Sequence, residues 1–143
     1  MPAVAVGDEL APVTVRITRA DLIAYAGASG DHNVIHWNDR VATAVGLPGV
    51  IAHGMYTMAV VGRVVTDWCG DPSAVLAYAV RFARPVPVPD DDRGAELVVG
   101  GRVESVDAEA GTVTLVLTAT VGGAGVLTGA RATVRTGGLS ASR

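Results

Sequence analysis

The chain contains no lysine: all 11 of its basic residues are arginine. That absence excludes Schiff-base chemistry on a lysine amine and the lysine of a phosphate-binding P-loop. Cysteine occurs once, at Cys69, so no intrachain disulfide forms and an oxidised secreted scaffold is not expected. Aromatic residues make up only 4% of the 143 positions and the formal net charge is -3. A nucleic-acid binder needs a basic face and stacking rings, and both are lacking. Arg63 and Asp67 interrupt the best candidate for a membrane span. The stretch from Met1 to Glu9 has no basic region and turns acidic at Asp8, unlike a secretory leader. The expectation is a cytoplasmic chain that engages neither nucleic acid nor membrane.

Against these absences stands a hydrophobic share of 50%, enough for a packed core. The length suits a single domain over residues 1–143, with residues 137–143 a frayed tail. Val13 to Ile17 alternates apolar and polar residues and reads as a short strand. Thr18 followed by Asp21 is a helix-start signature; Leu22 and Ala26 give that helix an apolar face, and Gly27 and Gly30 mark its end. Asn38 or Asp39 caps a short helix running to Val45, stopped by Gly46 and Pro48. From Gly54 to Cys69 the residues are nearly all apolar or small, which predicts a helix buried all round and ended by Gly70. Val75–Val86, Ala95–Val106, Thr112–Val121 and Val126–Arg135 read as strands rich in Val, Thr and Leu. Helices first and antiparallel strands later argue an α+β fold, with one long apolar helix packed on a curved sheet. An antiparallel sheet wrapped around a long central helix is the hot-dog arrangement.

Between the first two helices lies a polar stretch, Asp31 to Asp39. Asp31 and His36 together supply an acid and a base of different intrinsic strength, as proton transfer in two directions requires. The same spacing also suits a capping aspartate and a loop histidine bonded to backbone carbonyls. Gly54, at the head of the apolar helix, exposes free N–H groups at the positive end of the helix dipole, where an oxyanion is stabilised. It equally allows a tight entry turn. His32, His36 and His53 have no recognised zinc spacing, and His36 and His53 become metal ligands only if the fold gathers them. His53 reads as a hydrogen-bonded structural histidine and Cys69 as a buried inert thiol. Met55 and Met58 fit core packing or the lining of an acyl pocket.

The segment Tyr25 to His36, with Ala42 six residues on, resembles the hydratase motif of MaoC-like (R)-specific enoyl-CoA hydratases. In that motif Ser-Gly-Asp precedes x-Asn-Pro-[Ile/Leu]-His; Val34 stands here where the family has proline. Ile51-Ala52-His53-Gly54-Met55 is similar to the segment entering that family's central helix, and Tyr78 to Val86 to its strand ending in Pro-Val. The likeness runs from Val6 to Arg135. It looks nearest to the catalytic B subunit of heterodimeric (3R)-hydroxyacyl-ACP dehydratases, through Trp37-Asn38-Asp39 and the run from Pro85 to Pro89.

The resemblance implies a single hot-dog unit that dehydrates (3R)-3-hydroxyacyl thioesters and hydrates trans-2-enoyl thioesters. It implies Asp31 and His36 as the catalytic pair, the Gly54 N–H as oxyanion donor, and Ser29 and Asn33 as loop supports. Tyr25, Met55 and Met58 are candidates for an acyl pocket. No metal and no redox cofactor is expected; coenzyme A or acyl carrier protein enters as the handle of the substrate. A lone hot-dog unit leaves a sheet edge bare, so a homodimer, or a heterodimer with a related hot-dog subunit, is expected. Arg81 and Arg84, on one strand, either meet the carrier's phosphates or face solvent. Two other readings compete: a hot-dog acyl thioesterase, and a non-catalytic subunit of a heterodimeric dehydratase.

Overall fold

In a computed structural model that describes residues 4–138, the Val- and Thr-rich runs form one antiparallel sheet. Its strands are β1 (Glu9–Ile17), β2 (Val75–Phe82), β3 (Ala95–Asp107), β4 (Thr112–Val121), β5 (Ala124–Gly125) and β6 (Leu127–Arg135). They lie in the order β1-β3-β4-β6-β2, and β5 pairs with β4 off that path. Period-two alternation sets the inner face: Leu97, Val99, Val103, Val113, Leu115, Ala132 and Val134 are all buried there. Three glycines serve the ladders. Gly111 takes a left-handed turn between β3 and β4. A side chain on Gly101 would come within 2.6 Å of the Val116 carbonyl oxygen, and one on Gly94 would overlap that of Ile17.

Three helices occupy the first half: α1 (Arg19–Ser29), α2 (Asp39–Ala44) and α3 (Gly54–Cys69). Thr18 and Asp21 close a capping box on α1, each side chain bonding the other's backbone amide. Gly30, at φ 77°, ends it with a left-handed cap. Gly27 lies inside α1 and does not terminate it. Asn38 caps α2 by accepting from Val41 N–H at 3.1 Å.

The long helix α3 begins at Gly54 and ends at Gly70, as its composition predicts. Its burial is one-sided. Thr57, Val61, Val64, Val65 and Cys69 face the sheet, whereas Met55 is 58% exposed and Arg63 lies in solvent. The all-round burial expected from the sequence is therefore corrected: the small residues of the outer face are not covered within one chain. Against the sheet, Tyr78 of β2 packs over Gly62 and donates its hydroxyl to the Met58 carbonyl at 2.7 Å. Burial pushes that phenol up to about 12, so it stays a donor. The sheet curling around α3 is the hot-dog fold.

Two strands depart from what the sequence suggests, one by its length and one by its presence. β2 stops at Phe82, which leaves Arg84 beyond the strand, because Pro85, Pro87 and Pro89 lack the N–H that a ladder needs. β5 has only two residues and no period to announce it. Of the expected tail, Gly137 and Gly138 belong to a 3-10 turn from Thr136, and residues 139–143 lie outside the described ones.

Candidate active site

The polar stretch folds as a chain of side-chain-to-backbone bonds. Ser29 Oγ accepts from Asp31 N–H at 3.2 Å, Asp31 Oδ1 from Asn33 N–H at 3.1 Å, and Asn33 Oδ1 from Ile35 N–H at 3.2 Å. These short polar residues compete for backbone amides and so wind the loop without a regular ladder. A 3-10 turn over Val34–His36 follows, and it carries His36 inward.

His36 is buried, with only 7% of its surface exposed. Its Nδ1 lies 2.7 Å from the Ile51 carbonyl oxygen. A carbonyl only accepts, so Nδ1 carries a proton, and in the neutral ring Nε2 is the nitrogen with the free lone pair. That nitrogen faces Asp31 Oδ2 at 4.0 Å. The separation is too long for a hydrogen bond and right for a hydroxyl or water held between the two groups. Asp31 remains half exposed, so the pair has a buried side and an open side. Asp31 Oδ1 and His36 Nδ1 thus serve the backbone, as the capping reading of the spacing expects, while Oδ2 and Nε2 make no protein hydrogen bond among the described residues.

His53 stacks on His36 with ring centroids 3.8 Å apart and planes at 23°. Its Nε2–H donates to the Asp31 carbonyl oxygen at 3.0 Å. Tyr25 packs edge-on against the same ring at 4.8 Å, and Tyr56 against Tyr25 at 5.2 Å. His53 Nδ1 is buried with no hydrogen-bond partner among the described residues. Desolvation holds the His53 imidazole below the ordinary histidine range and outweighs the opposing bond to Asp31, which favours the neutral ring. The fold thus gathers Asp31, His36 and His53, with candidate ligand atoms within 4.8 Å of one another. Two of their nitrogens are committed to carbonyls, and the stacked rings hold the other lone pairs in nearly parallel planes.

Gly54 follows His53 as the first residue of α3, so its N–H has no acceptor within the helix. The Phe82 ring lies over its Cα, where an added methyl would come within 3.2 Å of Cε1. Beside it opens a cavity of about 300 Å³, lined by Gly54, Thr57, Phe82, Val86 and Leu127 among others, with Arg84 also on its wall. Tyr25, Met55 and Met58 do not line that cavity. Tyr25 supports His53, and Met55 sits on the outer side of α3. Arg81 is exposed on β2, and Arg84 donates to the Gly125 carbonyl at 2.9 Å.

Sequence reasoning missed Ile51 and Asp39, because their parts are played through distant backbone groups. Asp39 Oδ1 accepts from Val50 N–H at 2.8 Å, and both its oxygens take the Arg19 guanidinium at 3.0 Å. These bonds hold its carboxyl below the usual carboxylate range, the Val50 amide foremost.

Residues 3–121 match the MaoC like domain family. The chain is 48% identical over 75 residues to 3-hydroxyacyl-thioester dehydratase X of Mycobacterium tuberculosis, covering 52% of this chain and 26% of that protein. It is 35% identical over 112 residues to 3-hydroxyacyl-thioester dehydratase Z of the same organism, covering 75% of this chain and 72% of that one. A solved MaoC-like dehydratase superimposes with a TM-score of 0.90 at 43% identity, over 92% of this chain and 40% of the other. The chain therefore spans about a quarter of dehydratase X and well under half of that solved structure.

Proposed function

The chain belongs to the MaoC-like domain family, and from that premise we propose that it interconverts trans-2-enoyl and (3R)-3-hydroxyacyl thioesters by adding or removing water. One observation carries the reading: His36 is locked with its proton on Nδ1, and its free Nε2 faces the Asp31 carboxyl across 4.0 Å. In dehydration His36 Nε2 removes the proton from C2, the C2–C3 double bond forms, and the C3–O bond breaks. Asp31 gives a proton to the departing hydroxyl, which leaves as water. Besides the fixed Nδ1 proton the pair carries one transferable proton, on Asp31 before dehydration and on His36 Nε2 after it. Hydration runs the same steps backwards.

A C2 proton beside a thioester is only moderately acidic, so the base needs help from the carbonyl. The Gly54 N–H, at the positive end of α3, takes the thioester oxygen as negative charge develops there. Ser29 and Asn33 hold the loop, and the cavity beside Gly54 receives the acyl chain. The carrier, coenzyme A or acyl carrier protein, stays outside as a handle in a cytoplasmic reaction. The bare edge of β2, with Leu76 48% and Phe82 54% exposed, supports pairing with a second hot-dog chain, identical or related.

The test follows loss of enoyl-thioester absorbance with crotonyl-CoA and a longer enoyl-CoA, in the wild type, Asp31→Asn and His36→Ala. The expected result is hydration that falls by about a thousandfold or more in both folded variants. Free thiol release in place of hydration identifies a thioesterase and overturns the proposal. So do variants that keep the wild-type rate. A protein active only with a second hot-dog chain, and indifferent to both substitutions, is the non-catalytic subunit.

A further inference from the structure

The base in this site is defined by a tautomer, and the tautomer by one backbone oxygen. His36 Nδ1 bonds to Ile51 O at 2.7 Å, and no other protein partner of that nitrogen occurs among the described residues. What aims the Ile51 carbonyl is therefore part of the chemistry. Ile51 belongs to an extended segment clasped on several sides. Its N–H donates to Ile35 O, the next amide, Ala52, donates to Val86 O at 2.8 Å, and Val50 O accepts from Val88 N–H at 2.9 Å. The Val50 amide points the other way, into the Asp39 carboxylate.

Asp39 is held in turn. Arg19, in the first turn of α1, grips both carboxylate oxygens at 3.0 Å with one nitrogen and uses its Nε on the Val88 carbonyl. Arg19, Asp39, Val50 and Val88 thus form a closed ring of hydrogen bonds joining α1, α2 and two crossing segments. The ring needs a bare backbone beside it, since a side chain on Gly49 would stand 3.1 Å from Asp39 Oδ1. None of the ring's members lines the candidate substrate cavity.

We propose that the Arg19–Asp39 pair is a positioning device for His36: by holding the Val50 amide it aims the Ile51 carbonyl at Nδ1 and thereby keeps Nε2 as the free base. The pair touches no reacting atom, so Arg19 and Asp39 are positioning residues. The inference rests on the hydratase reading for its kinetic half, and on geometry alone for the tautomer.

Asp39→Ala removes the acceptor for Val50, and Arg19→Met removes the clamp on Asp39. Long-range proton–nitrogen NMR of the imidazoles reads the His36 tautomer with no substrate present. The wild type is expected to show a single Nδ1–H form. Each folded variant is expected to show a mixture, with kcat for enoyl-CoA hydration down about tenfold and KM within about twofold. Arg19→Lys keeps the charge but loses the fork, and is expected to recover only part of both readouts. A folded Asp39→Ala that retains the single tautomer, or that loses it with kcat unchanged, overturns the proposal. Failure of both Asp39→Ala and Arg19→Met to fold also overturns it, in favour of a clamp that serves stability alone. If the wild type hydrates no enoyl thioester, the functional reading fails while the tautomer still decides the positioning.

Discussion

Between Thr18 and Gly54 short helices and turns are tied together by side chains that bond to backbone amides, whereas from Val75 to Arg135 most of the backbone pairs with itself in one long ladder. In the first region Thr18, Asp21, Ser29, Asp31, Asn33, Asn38 and Asp39 each take a backbone amide. In the second, β3 pairs along most of its length with both β1 and β4. The catalytic candidates all belong to the first region, and most of the large buried aliphatic side chains to α3 and the second. A side-chain bond can place one atom at one angle, which a site requires. A ladder repeats a single geometry, which a core requires. The difference teaches that activity and stability are separable here by residue.

Substitutions that break this separation carry the largest effects. His36→Ala should abolish at least about 99.9% of hydration, a loss of the size general acid–base catalysis supplies, with the thermal midpoint lowered by only a few degrees. Leu115→Ala should do the reverse. Leu115 is fully buried on central strand β4, between Val103 and Ala132, and its truncation should cost about 3 kcal/mol in denaturant unfolding. The turnover of the molecules still folded should stay near that of the wild type. If Leu115→Ala cuts turnover as deeply as it cuts stability, the two regions are not separable.

Thr18→Ala sharpens the comparison at smaller scale. It removes the α1 capping box and should cost about 1 kcal/mol, read from urea midpoints. The smallest expected effect is a pH dependence. His53 has a depressed native pKa, so below the ordinary histidine value of 6.5 the unfolded chain binds more protons than the native one at this residue. Its contribution to stability is complete above about 6.5 and is lost as pH falls through the lower native value. Chemical denaturation between pH 8 and pH 5 should show that decline, and His53→Gln, which retains a donor for the Asp31 carbonyl, should flatten it.

The capping of α1, both ends of α3 and the core of each long strand were legible because local rules fix them. A threonine three residues before an aspartate, a glycine past a periodic run, and alternating valines act over one or two turns. Sheet order is another matter: β1 lies beside β3 and β2 beside β6, and no period in either strand encodes its neighbour. The motif brought Asp31 and His36 into view by spacing and resemblance. The bond that orients His36 stayed hidden, since Ile51 contributes a carbonyl that any residue could supply. Asp39 reads from the sequence only as a cap candidate and a motif position, and Arg19 carries no pattern at all, because the partners that give them their places lie far along the chain. The expected all-round burial of α3 failed on a composition argument alone. A small residue such as Ala59 lowers the polarity of a face without needing to be covered, and only the positions of Thr57, Val61, Val64, Val65 and Cys69 mark the face that packs.

The pairing of β1 with β3 has a consequence for the order in which this molecule comes into being. Ile17 meets Ala95, and Leu10 meets Gly101, with the entire helical region looped out between them. Closing so large a loop costs entropy before any contact repays it, and places the protein among slow folders, on a scale of about milliseconds to seconds. Asp31, His36 and Gly54 are synthesised well before Val86, Val88 and β3, on which the segment holding His36 depends. A ribosome that has passed Gly54 has therefore made every candidate reactive group but not Val86, Val88 or the sheet strands from β2 onward that frame them. Fragments ending before Asp107 should carry the whole chemistry in their covalent sequence and remain silent.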